Sequence, residues 1–258
     1  MTERIEAIGD VRALVGESPV WDGGRLLWVD VPGGLVHRTD LGSGATETVD
    51  VGPPVSFAWP LDGGEPLVAQ GTGLVRLRSR TVEHSVPGAP GERLNDGVVD
   101  AAGRIWIGTK AEPGRGALYR IEPGGVPEPV VTGVTISNGI RFSPDGSLLY
   151  YVDTPTGRVD VFDVRDGALS GRRVFAATGG EPDGLAVAPD GDVWVAMWGG
   201  SCLLAHAPDG RLRRRVPLPV SHPTSCAFAD GRLVVTTASR PLGGAAGPLD
   251  GALLEVPL

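Results

Sequence analysis

The chain has 258 residues, and its 31 Asp and Glu outweigh its 23 Lys and Arg to leave a formal net charge of −8. An acidic surface excludes a partner gripped through a phosphate backbone, since such binding displaces counterions with Lys and Arg, so nucleic acid is not an expected partner. Forty Gly and 23 Pro without a collagen period exclude a helical bundle and point to many short strands joined by turns.

In chain order, the opening MTERIEAIGDVRALVG lacks a basic head followed by an apolar core, and no run is long enough to cross a bilayer; the expectation is a cytoplasmic protein with no membrane partner. A turn followed by an apolar run then recurs: WDGGRLLWVD from Trp21, LDGGEPLVAQ from Leu61, DAAGRIWIGT from Asp100, SPDGSLLYYVD from Ser143, APDGDVWVAM from Ala188 and FADGRLVVTT from Phe228. The spacing is about 40 residues, that of propeller blades. A second signature follows each copy, GLVHR, GLVRL, GALYR, GRVDV, SCLLA and GALLE, each read as a third strand. Asp-Gly and Gly-Gly suit tight hairpins whose central residues take positive φ, which Gly does without steric penalty.

These units predict an all-β fold, a six-bladed β-propeller forming a single domain over residues 1–258. The sixth copy runs out at Leu258 before a fourth strand, and Arg4–Ala13 is expected to supply it. Pairing the N- and C-terminal segments would close the ring and hide its sheet edges. Cys202 and Cys226 allow one disulfide at most and lack the spacing of a thiolate zinc site, so buried free thiols are expected.

In a propeller the innermost strand of each blade lines a central channel, with its first residues at one mouth. Counting back eight residues from the turn glycines Gly103, Gly146 and Gly191 gives Asn95, Asn138 and Asp183. The first turn is one residue shorter, and counting back seven from Gly24 gives Glu17. Carboxylate and amide oxygens without His or Cys form a hard set suited to Ca²⁺, Mg²⁺ or Mn²⁺, and Glu17 with Asp183 would neutralise a divalent cation. An Asx residue before a strand commonly forms only a local turn, so the shared offset across blades carries the metal reading.

The segments GESPVWD, RLNDGVVDAAGRIWIGT, GALYRI, ISNGIRFSPDGSLLYYVDT, EPDGLAVAPDGDVWVA and TSCAF cover essentially the whole chain. In order and spacing they resemble the regucalcin-like family of senescence marker protein 30, gluconolactonase and luciferin-regenerating enzyme. The resemblance implies hydrolysis of a small sugar-type lactone at the channel mouth with one divalent cation, Ca²⁺ first and Mg²⁺, Mn²⁺ or Zn²⁺ as alternatives. It puts the metal ligands on Glu17, Asn138 and Asp183, the general base on Asp183, and substrate contacts on Arg93 and Asn95. Where relatives carry Met and then acidic residues, this chain has GTKAEPGRG. That makes Lys110, its only lysine, and Glu112 candidate substrate contacts, or partners of each other. Trp198, Trp59 and His222 are further candidates near the mouth, and RLRRRVPLP from Arg211 is expected to be a solvated outer strand. Two rival readings stand beside lactone hydrolysis: a non-enzymatic metal-binding propeller scaffold, and an aryl esterase or specialised-metabolism enzyme on the same scaffold.

Overall fold

Turn glycines at blade spacing cut the chain into strands short enough to stack radially. The computed structural model describes residues 4–61, 64–239 and 247–258, so the Asp62-Gly63 turn predicted in the second copy lies outside the described residues. After β1 (Glu6–Ile8), the first blade takes β2 (Gly16–Trp21), β3 (Leu26–Asp30), β4 (Leu35–Thr39) and β5 (Thr46–Asp50). The second takes β6 (Val55–Trp59), β7 (Leu67–Gln70), β8 (Gly73–Arg76) and β9 (Val82–Ser85). The third takes β10 (Arg93–Val99), β11 (Ile105–Lys110), β12 (Gly116–Ile121) and β13 (Glu128–Val134). The fourth takes β14 (Ser137–Phe142), β15 (Leu148–Asp153), β16 (Arg158–Arg165) and β17 (Ala168–Ala177). The fifth takes β18 (Glu181–Val187), β19 (Val193–Trp198), β20 (Cys202–His206) and β21 (Leu212–Pro217). The sixth has β22 (Pro223–Ala229), β23 (Arg232–Thr237) and β24 (Leu253–Val256), and β1 completes it.

The expected closure is present: β1 runs antiparallel to β24, with Glu6 opposite Glu255 and Ile8 opposite Leu253. Inner strands β2, β6, β10, β14, β18 and β22 touch in that order, and β22 meets β2 to complete a six-bladed β-propeller. Each blade packs on its neighbours through both faces, so second strands such as β19 (VWVAMW) are buried almost throughout instead of alternating. Trp106, Leu118, Ile140, Leu149 and Tyr151 form one such interblade cluster, each contributing roughly 2–3 kcal/mol of burial. Outer strands face water, and the arginines of β21 (LRRRVP) keep that edge unattractive to another chain. Cys202 and Cys226 are buried and free. No helix among the described residues is long and apolar enough to cross a membrane.

The hairpins differ in detail from the predicted two-residue form. At Ala188–Gly191 the Gly191 amide donates to Ala188 O (2.9 Å) and only the glycine is left-handed, with φ of 90°. The same i to i+3 turn closes Asp100–Gly103 and Ser143–Gly146, so Asp190 sits in an ordinary turn conformation before a left-handed glycine. Among the described turns, only at Asp230-Gly231 do both central residues have positive φ, 50° and 74°.

Every inner strand also breaks register near one end: between Glu17 and Val20, Val55 and Phe57, Leu94 and Gly97, Ser137 and Ile140, Pro182 and Leu185, and Pro223 and Ser225. A bulge frees a residue from its ladder and re-aims its side chain. Bulges recur at one height in all six blades, and five of the side chains there, Glu17, Ser56, Asn95, Asn138 and Asp183, line one mouth.

His37 in β4 is 2% exposed, with its ring 4.3 Å from that of Trp28 and Nδ1 2.9 Å from Thr48 Oγ1. Burial pushes it down from 6.5 to about 4, against the opposing pull of Asp30. The unfolded chain takes up this proton below 6.5 while the folded one refuses it until about 4, so the stability is present above 6.5 and is lost as pH falls between the two. Urea unfolding as a function of pH is expected to show a loss of about 3 kcal/mol over that window, absent in His37→Gln.

Candidate active site

The mouth is built from one repeated position. The residues that follow the pairs Gly16–Asp30, Val55–Gln70, Leu94–Thr109, Ser137–Asp153, Pro182–Met197 and Pro223–Thr237 are Glu17, Ser56, Asn95, Asn138, Asp183 and Thr224. All six carry side-chain oxygen. Four of them fasten their blade to the next. Ser56 Oγ donates to Leu94 O (2.7 Å), Asn95 Nδ2 to Ser137 O (2.7 Å) and Thr224 Oγ1 to Gly16 O (2.5 Å). Asn138 reaches through a relay: its Nδ2 donates to Thr154 Oγ1 (2.7 Å), which donates to Pro182 O (2.8 Å). In every case the acceptor precedes the equivalent position of the following blade.

Glu17 and Asp183 are the exceptions, because an ionised carboxylate has no proton to donate. Glu17 Oε2 accepts from the amide of Ser18 (3.0 Å), a residue held at a left-handed φ of 50°. Asp183 is 6% exposed and no described residue donates to its carboxylate. Burial, then Asp96, pushes Glu17 up to about 8; burial, then Glu17 and Asp96, pushes Asp183 well above the carboxylate range. Asp96, raised mainly by burial, lines the same cavity and lies 3.9 Å from Arg141. Buried acids raised in this way, Asp183 partly by Glu17 and both by Asp96, form a site short of positive charge. Asn138 Oδ1 joins them, already accepting from Asn95 Nδ2 at 2.7 Å. Among the described residues no three His, Cys, Asp or Glu side chains gather to hold a metal, so the donor set is two carboxylates and an amide, all oxygen. Such a set fits a hard divalent cation.

Residues 15–239 match the family described as the SMP-30/Gluconolactonase/LRE-like region. The chain belongs to that family. Pentonolactonase XacC of Haloferax volcanii is 33% identical to it over 95% of this chain and 89% of its own. The 6-deoxy-6-sulfogluconolactonase of Pseudomonas putida is 31% identical over 93% and 88%. Among solved structures, a calcium-binding protein from Agrobacterium tumefaciens, regucalcin, superposes with a TM-score of 0.89 at 28% identity over 97% of this chain and 92% of its own. The family places the chain among hydrolases of carboxylic ester bonds that open lactones.

Above the ring the mouth opens into a cavity of about 410 Å³ lined by Glu17, Arg93, Asn95, Lys110, Asn138, Asp183 and Trp198. Arg93 Nη1 donates to Leu94 O (2.8 Å) and Asn95 Oδ1 (2.5 Å). Glu112 does not line this cavity: it is exposed in the 112–115 turn, where its carbonyl accepts from the Arg115 amide, and the expected pair with Lys110 is not formed. Trp59 is likewise away from the mouth, near the far end of β6 and stacked on Phe57, whereas His222 packs on Trp198 at 4.6 Å between ring centroids. A second depression of about 590 Å³ lies between the turns of the third and fourth blades, but its acids are engaged, Asp100 by Arg104 and Trp106, Asp145 by Ser143 and Ser147.

Sequence reasoning missed Ser56, Thr224 and Thr154. The first two obey the same count, eight back from Gly64 and seven back from Gly231, but carry hydroxyls where carboxylates and amides were sought. Gly184 explains the other half of its Asp-Gly pair by space rather than by φ. A Cβ there would lie 2.0 Å from Ser225 Oγ and 2.7 Å from Ser225 Cα on the next blade. Gly184→Ala must part β18 from β22, and calorimetry is expected to show a destabilisation of about 1–3 kcal/mol.

Proposed function

We propose that the protein hydrolyses a small sugar-type lactone at the channel mouth, with one divalent cation, Ca²⁺ first, held by Glu17, Asn138 and Asp183. The observation that carries this reading is the interruption of the interblade fastening at Glu17 and Asp183, two buried acids of which one accepts only from the Ser18 amide and the other from no described residue. The lactonase names of the relatives and the calcium binding of the Agrobacterium neighbour support it. When bound, such a cation polarises the ester carbonyl and makes a nearby water more acidic.

The chain's own residues supply the rest. Asp183 takes the proton of the attacking water as the water oxygen bonds to the carbonyl carbon. The ring C–O bond then breaks, the ring oxygen takes from Asp183 the proton that Asp183 accepted and leaves as a hydroxyl, and the acid formed gives its remaining proton to solvent and is released as a carboxylate. Arg93 turns a planar donor fork into the cavity, suited to substrate hydroxyls and to the carboxylate that develops. Asn95, braced by Arg93 and by Ser137 O, orients a substrate hydroxyl. Free buried thiols suit a reducing compartment, in keeping with a cytoplasmic location.

Two experiments test this. Chelator-stripped protein is expected to lose lactone turnover and regain it with Ca²⁺; Asp183→Asn, reloaded with cation, is expected to lose about 100- to 10,000-fold in kcat. Full activity after stripping, or no cleavage of any lactone with any cation, overturns the reading. Thr154→Val frees the Asn138 amide, and titration calorimetry is expected to show cation binding weakened about 10- to 100-fold with the fold intact by circular dichroism.

A further inference from the structure

Arg93 and Lys110 are direct cross-strand partners at the mouth end of β10 and β11. Partners across an antiparallel pair project to the same face, and both side chains line the cavity. Like charges placed directly opposite destabilise a sheet. The chain nonetheless spends its single lysine here.

Among the described residues no ion pair offsets that repulsion; only the more distant charges of Glu17 and Asp183, on Arg93, and of Asp183, on Lys110, act against it. Arg93 reaches only neutral acceptors, Leu94 O and Asn95 Oδ1. Among the described residues no carboxylate forms a salt bridge within 4.0 Å of either cation. Burial, and then Arg93, lowers Lys110 from its ordinary value; burial lowers Arg93. The acids of the cavity are otherwise committed. Glu17 and Asp183 face the cation of the proposed function, on which this argument rests, and Asp96 faces Arg141. Glu181, also on the cavity wall, is exposed to water that screens it.

We propose that the pocket selects a lactone bearing a second, acidic group, a carboxylate, sulfonate or phosphate remote from the ring ester, seated between Arg93 and Lys110. An oxyanion there accepts from both cations at once and turns the repulsive pair into a bridge. Charge-assisted hydrogen bonds of this kind are the strong ones, and the guanidinium and ammonium present complementary fork and point geometries to it. A neutral sugar lactone leaves the two charges facing each other.

The test uses the full chain loaded with Ca²⁺. Turnover is measured on gluconolactone and on three charged counterparts: glucarolactone, 6-phosphogluconolactone and 6-sulfogluconolactone. At least one charged lactone is expected to exceed gluconolactone in kcat/KM by about tenfold or more, chiefly through KM. Lys110→Met is expected to lower that ratio about tenfold, and Lys110→Arg to retain most of it. Because Lys110→Met also removes the opposed charge, its melting temperature without lactone is expected to rise by about 2 °C, which separates lost recognition from lost folding. Which counterpart wins identifies the acidic group. Equal or better use of gluconolactone by the wild type overturns the inference while leaving lactone hydrolysis standing, as does a Lys110→Met ratio equal to that of the wild type. Failure to cleave any of the four overturns the proposed function beneath it.

Discussion

A side chain that donates a hydrogen bond to the carbonyl of the next blade is the interaction on which the rest of this structure depends. Flat sheets packed face to face could slide radially, and apolar contact alone sets their spacing without fixing their height. The bonds from Ser56 to Leu94 O, Asn95 to Ser137 O and Thr224 to Gly16 O fix height, because each joins the same position of consecutive inner strands. Buried bonds of this kind contribute only about 1 kcal/mol each, yet leaving their carbonyls unpaired would cost about as much again or more, so they specify alignment more than they add stability. Alignment is what the proposed cation site, shared among three blades, requires.

Carboxylates at two of the six positions invert that logic. Glu17 and Asp183 occupy places where a hydroxyl or amide would have fastened another pair of blades, and they meet burial and the repulsion of neighbouring acids instead. Ser18 adds backbone strain beside Glu17, with its left-handed φ and a side-chain oxygen that has no partner. Such concentrations of unfavourable terms are tolerated where function uses them. The fastening that remains is arranged around the gap. Asn138, the third proposed ligand, is held on one side by Asn95 and on the other through Thr154, so its oxygen is fixed by neighbours that are not themselves in line for the ion.

Much of this was legible in the sequence, for a definable reason. The run between mouth and turn is a single strand, so its length is constant and counting from the turn glycine lands on Asn95, Asn138 and Asp183 whatever the blade. The third-strand signatures all fall on β4, β8, β12, β16, β20 and β24, even in the sixth blade, where β23 ends at Thr237 and β24 begins only at Leu253. What failed to show was what depends on contact between blades. Thr154 reaches the site from a short 3-10 turn after β15, at no fixed offset from any glycine. The bulges leave no compositional trace, since they arise where the inner strand must both pair and turn inward. Glu112 stood two residues from Lys110 and was read as its neighbour, but the strand ends between them and the turn carries Glu112 outward into water. The opposition of Arg93 and Lys110, 17 positions apart, is a matter of register that only the paired strands display.

A chain of net charge −8 is an unexpected host for two unpaired cations at one mouth, and the scale of screening reconciles the two. At physiological ionic strength an exposed charge is largely cancelled beyond about 8 Å, so the acidic outer surface contributes little to the field inside the cavity. Charges on the low-dielectric cavity walls are screened far less, and there the local count decides. With Glu17 and Asp183 answered by a divalent ion, that count is positive at the edge made by β10 and β11 and near neutral elsewhere. The field then has a direction across the pocket as well as a sign, so it would orient a bound lactone: the ester over the carboxylates, and whatever negative charge the molecule bears toward Arg93 and Lys110.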